Sequence, residues 1–439
     1  MKLQNKMKKI KEMKIKISFI LIALSTIFLF EACKVGPSFK TQRTEIDSTA
    51  VYRYDSIQLA MTDSVLNISW WELFDDPILA DLIEIGLEEN KDALIASSRI
   101  DQAMAQLGFT KADMGPKIGY NISAQRGNVI AGAPTQGFEA SNIFTGFGTL
   151  SWELDFWGKF RRANEAARAE LVATEYGQRT VQIGLISAIA TTYYQLLDFQ
   201  WREYISKKTL ELRQASLNII QARYNSGIVA EIDLNQAQIQ RAIAAAAVPL
   251  FQRSIAQTEN ALGILLGRSP GPITTGVELS EQQLPPDIPV GLPSMLMERR
   301  PDILQVEALL HAQTARIGVA VAQRFPSISL TGLLGVASND ISTLTSNPAA
   351  FAIGGSVLGP LFEFGKNKRR VEVERKITEQ VLYEYERTVI TAFQEVEDAL
   401  VAISTLKEER QARIDHVAAA QNAQYLSGER YDKGVTSFL

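Results

Sequence analysis

From Ile118 to Gln125 apolar and polar residues alternate strictly. Ile118, Tyr120, Ile122 and Ala124 fall on one face; Gly119, Asn121, Ser123 and Gln125 fall on the other. A period of two predicts a strand with one apolar side, over about 117–126. A second strand is expected over about 143–156. It sets Phe144, Leu150, Trp152, Leu154 and Phe156 against Thr145, Thr149, Ser151, Glu153 and Asp155. Two more are expected at about 327–336, with Ile328, Leu330 and Leu334 on one face, and at about 350–363, with Phe351, Ile353, Val357 and Leu361. Elsewhere the period is helical. Asp76-Pro77 supplies an N-cap and a first-turn proline, and Leu79, Leu82, Ile83 and Leu87 recur at helical spacing. That helix is expected to run unbroken to about Asp113.

No proline occurs between Pro134 and Pro249, or after Pro360. Residues about 159–225 and about 366–432 therefore read as uninterrupted helices, each roughly 100 Å long at 1.5 Å per residue. Helices of that length need a coiled-coil partner or a helical wall. A further helix is expected at about 231–266. Its alanines, Ala242 and Ala244 to Ala247 among them, fit both plain helix propensity and close approach of neighbours.

The same landmarks occur twice. Arg223-Tyr224-x-x-Gly227 returns as Arg430-Tyr431-x-x-Gly434, and Gly158-Lys159 returns as Gly365-Lys366, both 207 positions on. Gly108 and Pro116 return as Gly318 and Pro326, 210 positions on. This implies an internal two-fold repeat of about 200 residues, too long for a solenoid unit. The expected organisation is a signal peptide at 1–32, an N-terminal segment at 33–75, repeat 1 at 76–268, a proline-rich connector at 269–298 and repeat 2 at 299–439. In repeat 1 a helix of about 35 residues follows Gly227, whereas five residues follow Gly434. The sequence is therefore expected to be truncated at its C-terminus.

Charge and chemistry narrow the function classes. The 439-residue chain carries a formal charge of −4. Its first 32 residues hold seven Lys against Glu12 and Glu31, so the remainder is about −9 and presents no footprint for nucleic acid. With two His and one Cys, one chain can build neither a His/Cys metal site nor a disulfide. Gly359-x5-Gly365-Lys366-Asn367 is one residue too long for a phosphate loop and lacks its Ser or Thr. No nucleophile elbow is present, so the chain is not expected to be an enzyme or to need a cofactor. The lysine-rich start precedes an apolar stretch from Ile17 to Phe30, the size of a signal-peptide core, and Cys33 follows directly. Cleavage before Cys33 and acylation of that residue is the functional reading; an unmodified thiol is the other. The strands, at about ten residues, suit a tilted membrane crossing or a pair of soluble hairpins packed on helices. If they do cross, four of them cannot close a barrel, and open edges are forbidden in lipid, so several chains must share one.

Several stretches taken in series resemble the TolC-like outer-membrane factors, in particular the lipoprotein (OprM/NodT-like) members that serve resistance-nodulation-division efflux systems. They are Cys33-Lys34-Val35-Gly36-Pro37, Trp70-Trp71-Glu72-Leu73-Phe74, Leu154-Asp155-Phe156-Trp157-Gly158-Lys159, Arg299-Arg300-Pro301-Asp302 and Gly359-Pro360-Leu361-Phe362. The resemblance implies a mainly α protein with a small β part: an α-barrel of long helices plus four membrane strands per chain, closed as a twelve-stranded β-barrel in a homotrimer. It implies a lipid-anchored protein of the outer membrane with a periplasmic extension, exporting small molecules delivered by an inner-membrane transporter through a periplasmic adaptor. The covalent lipid would sit on Cys33. The family's gate link matches Asp233 and Tyr431, although Asp233 is equally suited to the start of its own helix. The constriction carboxylates would lie beyond Leu439. A type I secretion conduit of the same fold, or a soluble periplasmic coiled-coil adaptor, is the alternative.

Overall fold

The structure, a computed structural model, describes residues 34–41, 71, 74–130, 133–134, 140–282, 297–346 and 348–432. The chain is mainly helical with a small strand part. In order it forms α1 (Pro77–Glu89), α2 (Lys91–Ala112), β1 (Lys117–Gly127), the short β2 (Val129–Ile130) and β3 (Ala133–Pro134), and β4 (Ser141–Leu154). There follow α3 (Lys159–Asn225), α4 (Glu231–Leu265), α5 (Pro301–Ala322), β5 (Ser327–Ser338), β6 (Ala350–Leu358) and α6 (Lys366–Asp432). Helices α3 and α6 are each 67 residues long.

Three boundaries differ from the sequence expectation, each for a local reason. The helix expected from Asp76 to Asp113 is interrupted at Asn90. There Asn90 ends α1 by donating its backbone N–H to Gly86, and starts α2 by accepting from Asp92 N and Ala93 N with Oδ1. Its Nδ2 also donates to Leu265 O at 2.9 Å, so the interruption is a tertiary contact that periodicity does not reveal. Strand β4 stops at Leu154 because Phe156 N and Gly158 N turn back onto Leu154 O and Asp155 O. Strand β6 stops at Leu358. A Cβ on Gly359 would stand 2.7 Å from Pro326 Cα, and Pro360 has no N–H to give a ladder.

The chain divides into two compact units. One comprises Arg43–Ala96, Gln178–Leu304 and Glu386–Leu439. Its core gathers Leu79, Ile83, Ile189, Tyr193, Leu196, Leu262 and Leu266, the fully buried stripe of α1, α3 and the end of α4. Buried Asp76 organises this core's edge. Oδ1 caps α1 by accepting from Ile78 N and Leu79 N, and Oδ2 accepts from Tyr193 Oη at 2.8 Å and Gln282 Nε2 at 3.0 Å. Tyr193 Oη in turn accepts from Gly276 N, pinning the start of the connector. Gly227, at φ +72, closes α3: Ile228 N bonds Arg223 O and Gly227 N bonds Tyr224 O, the paired bonds of a glycine-ended helix.

The other unit comprises Met1–Gln42, Ser97–Gly177 and Gln305–Tyr385. It holds an antiparallel sheet in the order β1-β4-β5-β6. Beside it, Ile317 and Ala320 of α5 pack on Val371 of α6, and Gln313 Nε2 donates to Glu374. Arg316 reaches Glu170 on α3.

Candidate membrane wall and N-terminal clasp

Register decides which side chains share a face of the sheet. Ile118 lies opposite Leu150, Leu150 opposite Gly332, and Gly332 opposite Ile353. The same row logic joins Tyr120, Gly148, Leu334 and Phe351, and joins Trp152 with Leu330, and Leu154 with Ile328 and Val357. The four alternations are thus in phase and build one continuous apolar face. It is not buried within the chain: Ile118 is 84%, Tyr120 85% and Ile353 86% exposed. The opposite face carries Asn121, Ser123, Thr145, Thr149, Ser151, Ser329 and Thr331. Its cross-strand Ser123–Thr145 hydroxyl bond is 2.7 Å long. Among the described residues no strand pairs with the outer edge of β1 or of β6, so both edges present unsatisfied backbone groups.

An aromatic cluster marks the end of the sheet where β4 passes into α3. Trp152 Nε1 donates to Met114 O at 2.9 Å and Trp157 Nε1 to Pro326 O at 2.8 Å. Trp157 stacks on Phe325 with centroids 4.5 Å apart. Such amphipathic rings at a strand terminus are what a membrane–water boundary selects. Gly158, at φ +77, makes the turn, and Asp155 caps α3 by accepting from Phe160 N and Arg161 N.

Against the first turns of α3 lies the segment 34–41. Arg162, 1% exposed, donates Nε to Val35 O and Nη2 to Gly36 O, and Nη1 to Glu165 at 3.0 Å. Val35 N donates to Trp157 O, Lys34 pairs with Glu165, and Phe39 stacks on His311 at 4.6 Å. Gly36, at φ +95, is pressed so closely on Gly318 that a Cβ would stand 2.5 Å from its Cα. Burial pushes the Glu165 carboxyl up. Hydrogen bonds from Lys34 and His311, with the Arg162 charge beside them, outweigh that and hold it below the usual carboxylate range. The clasp fixes the residue that follows Cys33 at the sheet-to-helix junction.

A profile of the outer membrane efflux protein family matches residues 82–268 and 292–439. The chain belongs to that family. It is 31% identical over 423 residues to the probable efflux pump outer membrane protein TtgC of Pseudomonas putida, covering 94% of this chain and 86% of that one. Among solved structures, the outer-membrane channel OprN matches with a TM-score of 0.80 at 31% identity, over 92% of this chain and 91% of that one. The open state of the Neisseria gonorrhoeae outer membrane channel MtrE matches with a TM-score of 0.82 at 27% identity, over 92% and 89%. Like those relatives, this family member is an outer-membrane efflux protein, and the apolar face of its sheet is the part suited to lipid. No helix among the described residues is long and apolar enough to cross a membrane, and none of their His, Cys, Asp and Glu cluster as a metal site.

The residues singled out in the sequence are differently placed. Cys33 lies outside the described residues, immediately before Lys34. Asp233 is exposed in the first turn of α4, where its Oδ2 accepts from Ala230 N at 3.3 Å. Tyr431 is in the last turn of α6, with its side chain outside the described residues. Sequence reading missed Arg162, Glu165 and His311. Arg161-Arg162 reads as an ordinary charged helix start, and only the fold shows that Arg161 turns to Asp155 while Arg162 enters the clasp.

Proposed function

We propose that three copies of this chain pool their sheets into one twelve-stranded barrel in the outer membrane, and that their long helices continue it as a periplasmic conduit. The chain is then a passive channel subunit, without catalysis or cofactor. It takes small molecules from an inner-membrane transporter of the resistance-nodulation-division type through a periplasmic adaptor. One observation carries the reading: a four-stranded sheet whose apolar face is exposed and whose two edges are open. In lipid each unpaired backbone group costs several kcal/mol, so β6 of one chain must pair with β1 of the next. The internal repeat gives each chain two hairpins, β1-β4 and β5-β6, as equivalent wall elements. Cys33 carries the covalent lipid, and the clasp holds that anchor at the membrane boundary.

Size analysis in detergent with planar-bilayer recording tests this. A trimer with discrete conductance is expected; a non-conducting monomer would end the proposal. Palmitate should label this protein and not Cys33→Ser, and equal label in both would remove the anchor. In the closed conduit, Asp233 and Tyr431 form the gate link. The Asp233 carboxylate spends one of its roughly four acceptor positions on Ala230 N, which leaves it able to accept a tyrosine hydroxyl. The double variant Asp233→Ala with Tyr431→Phe should show higher single-channel conductance, because a charged hydrogen bond of about 1.5–3 kcal/mol per chain is lost. Unchanged conductance would exclude both residues from the gate.

A further inference from the structure

Between the clasp, α3 and α5 lies a cavity of about 500 Å³. Its polar lining is Lys34, Arg161, Asn164, Glu165, Arg168 and His311; Met114, Val172 and Ala308 are apolar. The local charge is positive. Lys34, Arg161, Arg162 and Arg168 stand against two carboxylates, Glu165 and Asp155, and both of these are already engaged, with Lys34 and Arg162 and with Arg161 respectively. Glu307, one helical turn before His311, is a third carboxylate nearby, and burial pushes its carboxyl up. Arg168 is exposed and, among the described residues, has no hydrogen-bond or ion-pair partner. Asn164 donates Nδ2 to Phe160 O, while its buried Oδ1 has no partner among the described residues.

Depth says what meets these groups. Arg161 lies in the first turn of α3, directly after the Trp157–Phe325 cluster. Arg168 is two turns further, about 10 Å along the axis. Helical side chains lean toward the N-terminus, so its guanidinium returns toward the sheet. The headgroup layer of one leaflet is roughly 5–8 Å thick. A cavity lined by both cationic and apolar side chains, at that depth, suits a molecule with a phosphate at one end and hydrocarbon at the other.

We infer that this cavity binds the headgroup of a membrane phospholipid, its phosphate on Arg168 with Lys34 and Arg161 beside it, and its first methylenes against Met114 and Val172. The inference rests on the sheet spanning the bilayer, but not on a lipid at Cys33. A free phosphate ion would leave the apolar lining wet, which favours the lipid.

The test is native mass spectrometry of the detergent-solubilised oligomer titrated with dioctanoyl phosphatidylethanolamine, with dioctanoylglycerol, which lacks the phosphate, and with inorganic phosphate as competitor. The phospholipid should bind with up to one copy per chain, and dioctanoylglycerol at least tenfold more weakly. Arg168→Ala should weaken phospholipid binding about tenfold, and Arg168→Lys should restore part of it. Should Arg168→Ala fail to assemble, Arg168→Gln keeps the side-chain stem and carries the same expectation. Equal binding of dioctanoylglycerol, unchanged binding in the Arg168 variants, or displacement of the lipid by millimolar inorganic phosphate would each overturn the inference. Conductance is expected to be unaltered in these variants, so loss of the lipid site and failure of the channel reading are separately visible.

Discussion

Arginine in place of Ile122 is expected to abolish outer-membrane assembly, while arginine in place of the adjacent Asn121 is expected to be tolerated. Ile122 is the central residue of β1, on the apolar face, and is 78% exposed within the chain. In water, changing so exposed a side chain shifts stability by no more than about 0.5 kcal/mol. At the bilayer midplane an arginine costs about 2–4 kcal/mol, and a trimer carries three, so the total is roughly 6–12 kcal/mol. Asn121 points to the opposite face, which in a barrel lines water. The two neighbours thus separate a membrane wall from a soluble hairpin without reference to any relative. Ile353→Arg, on β6 and in the same phase, should repeat the Ile122 result. The readout is the amount of heat-modifiable oligomer in outer-membrane fractions. Equal recovery of Ile122→Arg and Asn121→Arg would show that the apolar face does not meet lipid.

The strands were legible because alternation is a strong signal and register could be inferred from its phase. Ile118, Leu150, Leu330 and Phe351 fall on one face in the sequence and on one face in the sheet. The long helices were legible for a simpler reason, the absence of proline and of paired breakers through 159–225 and 366–432. What escaped the sequence depends on partners remote along the chain. Asn90 breaks a helix because Leu265 O is there to accept its amide. Arg162 is buried because the backbone of Val35 and Gly36 consumes its donors. Neither residue looks unusual among its neighbours. Asp233 illustrates the converse limit. Its position at a helix start suits capping, and that is the bond it makes, to Ala230 N; the same carboxylate gives no sign in the sequence of any second partner.

The seam between the two halves of the sheet is the second place where one atom should decide assembly. Strands β4 and β5 come from different halves of the chain, and Phe147 lies opposite Gly335. A Cβ on Gly335 would stand 2.0 Å from Gly146 O and 2.7 Å from Phe147 Cα, and 2.8 Å from Cδ1 of the Phe147 ring. The first two are backbone atoms, so no rotamer change relieves them, and moving either strand breaks the ladder on both sides. Gly335→Ala is therefore expected to cost about 3 kcal/mol per chain by overpacking. Gly332, three residues earlier on β5, is the control. Its added Cβ would lie 3.4 Å from Leu150 Cβ, an ordinary contact, so Gly332→Ala should assemble and conduct normally. Aromatic rings laid over glycines are one way a curved sheet pins its register, and the Phe147 ring placed against Gly335 fits that use. Phe147→Ala with Gly335→Ala removes the ring contact but leaves the carbonyl clash with Gly146. It should recover little of the lost oligomer; full recovery would assign the strain to the ring and leave the backbone seam free to shift.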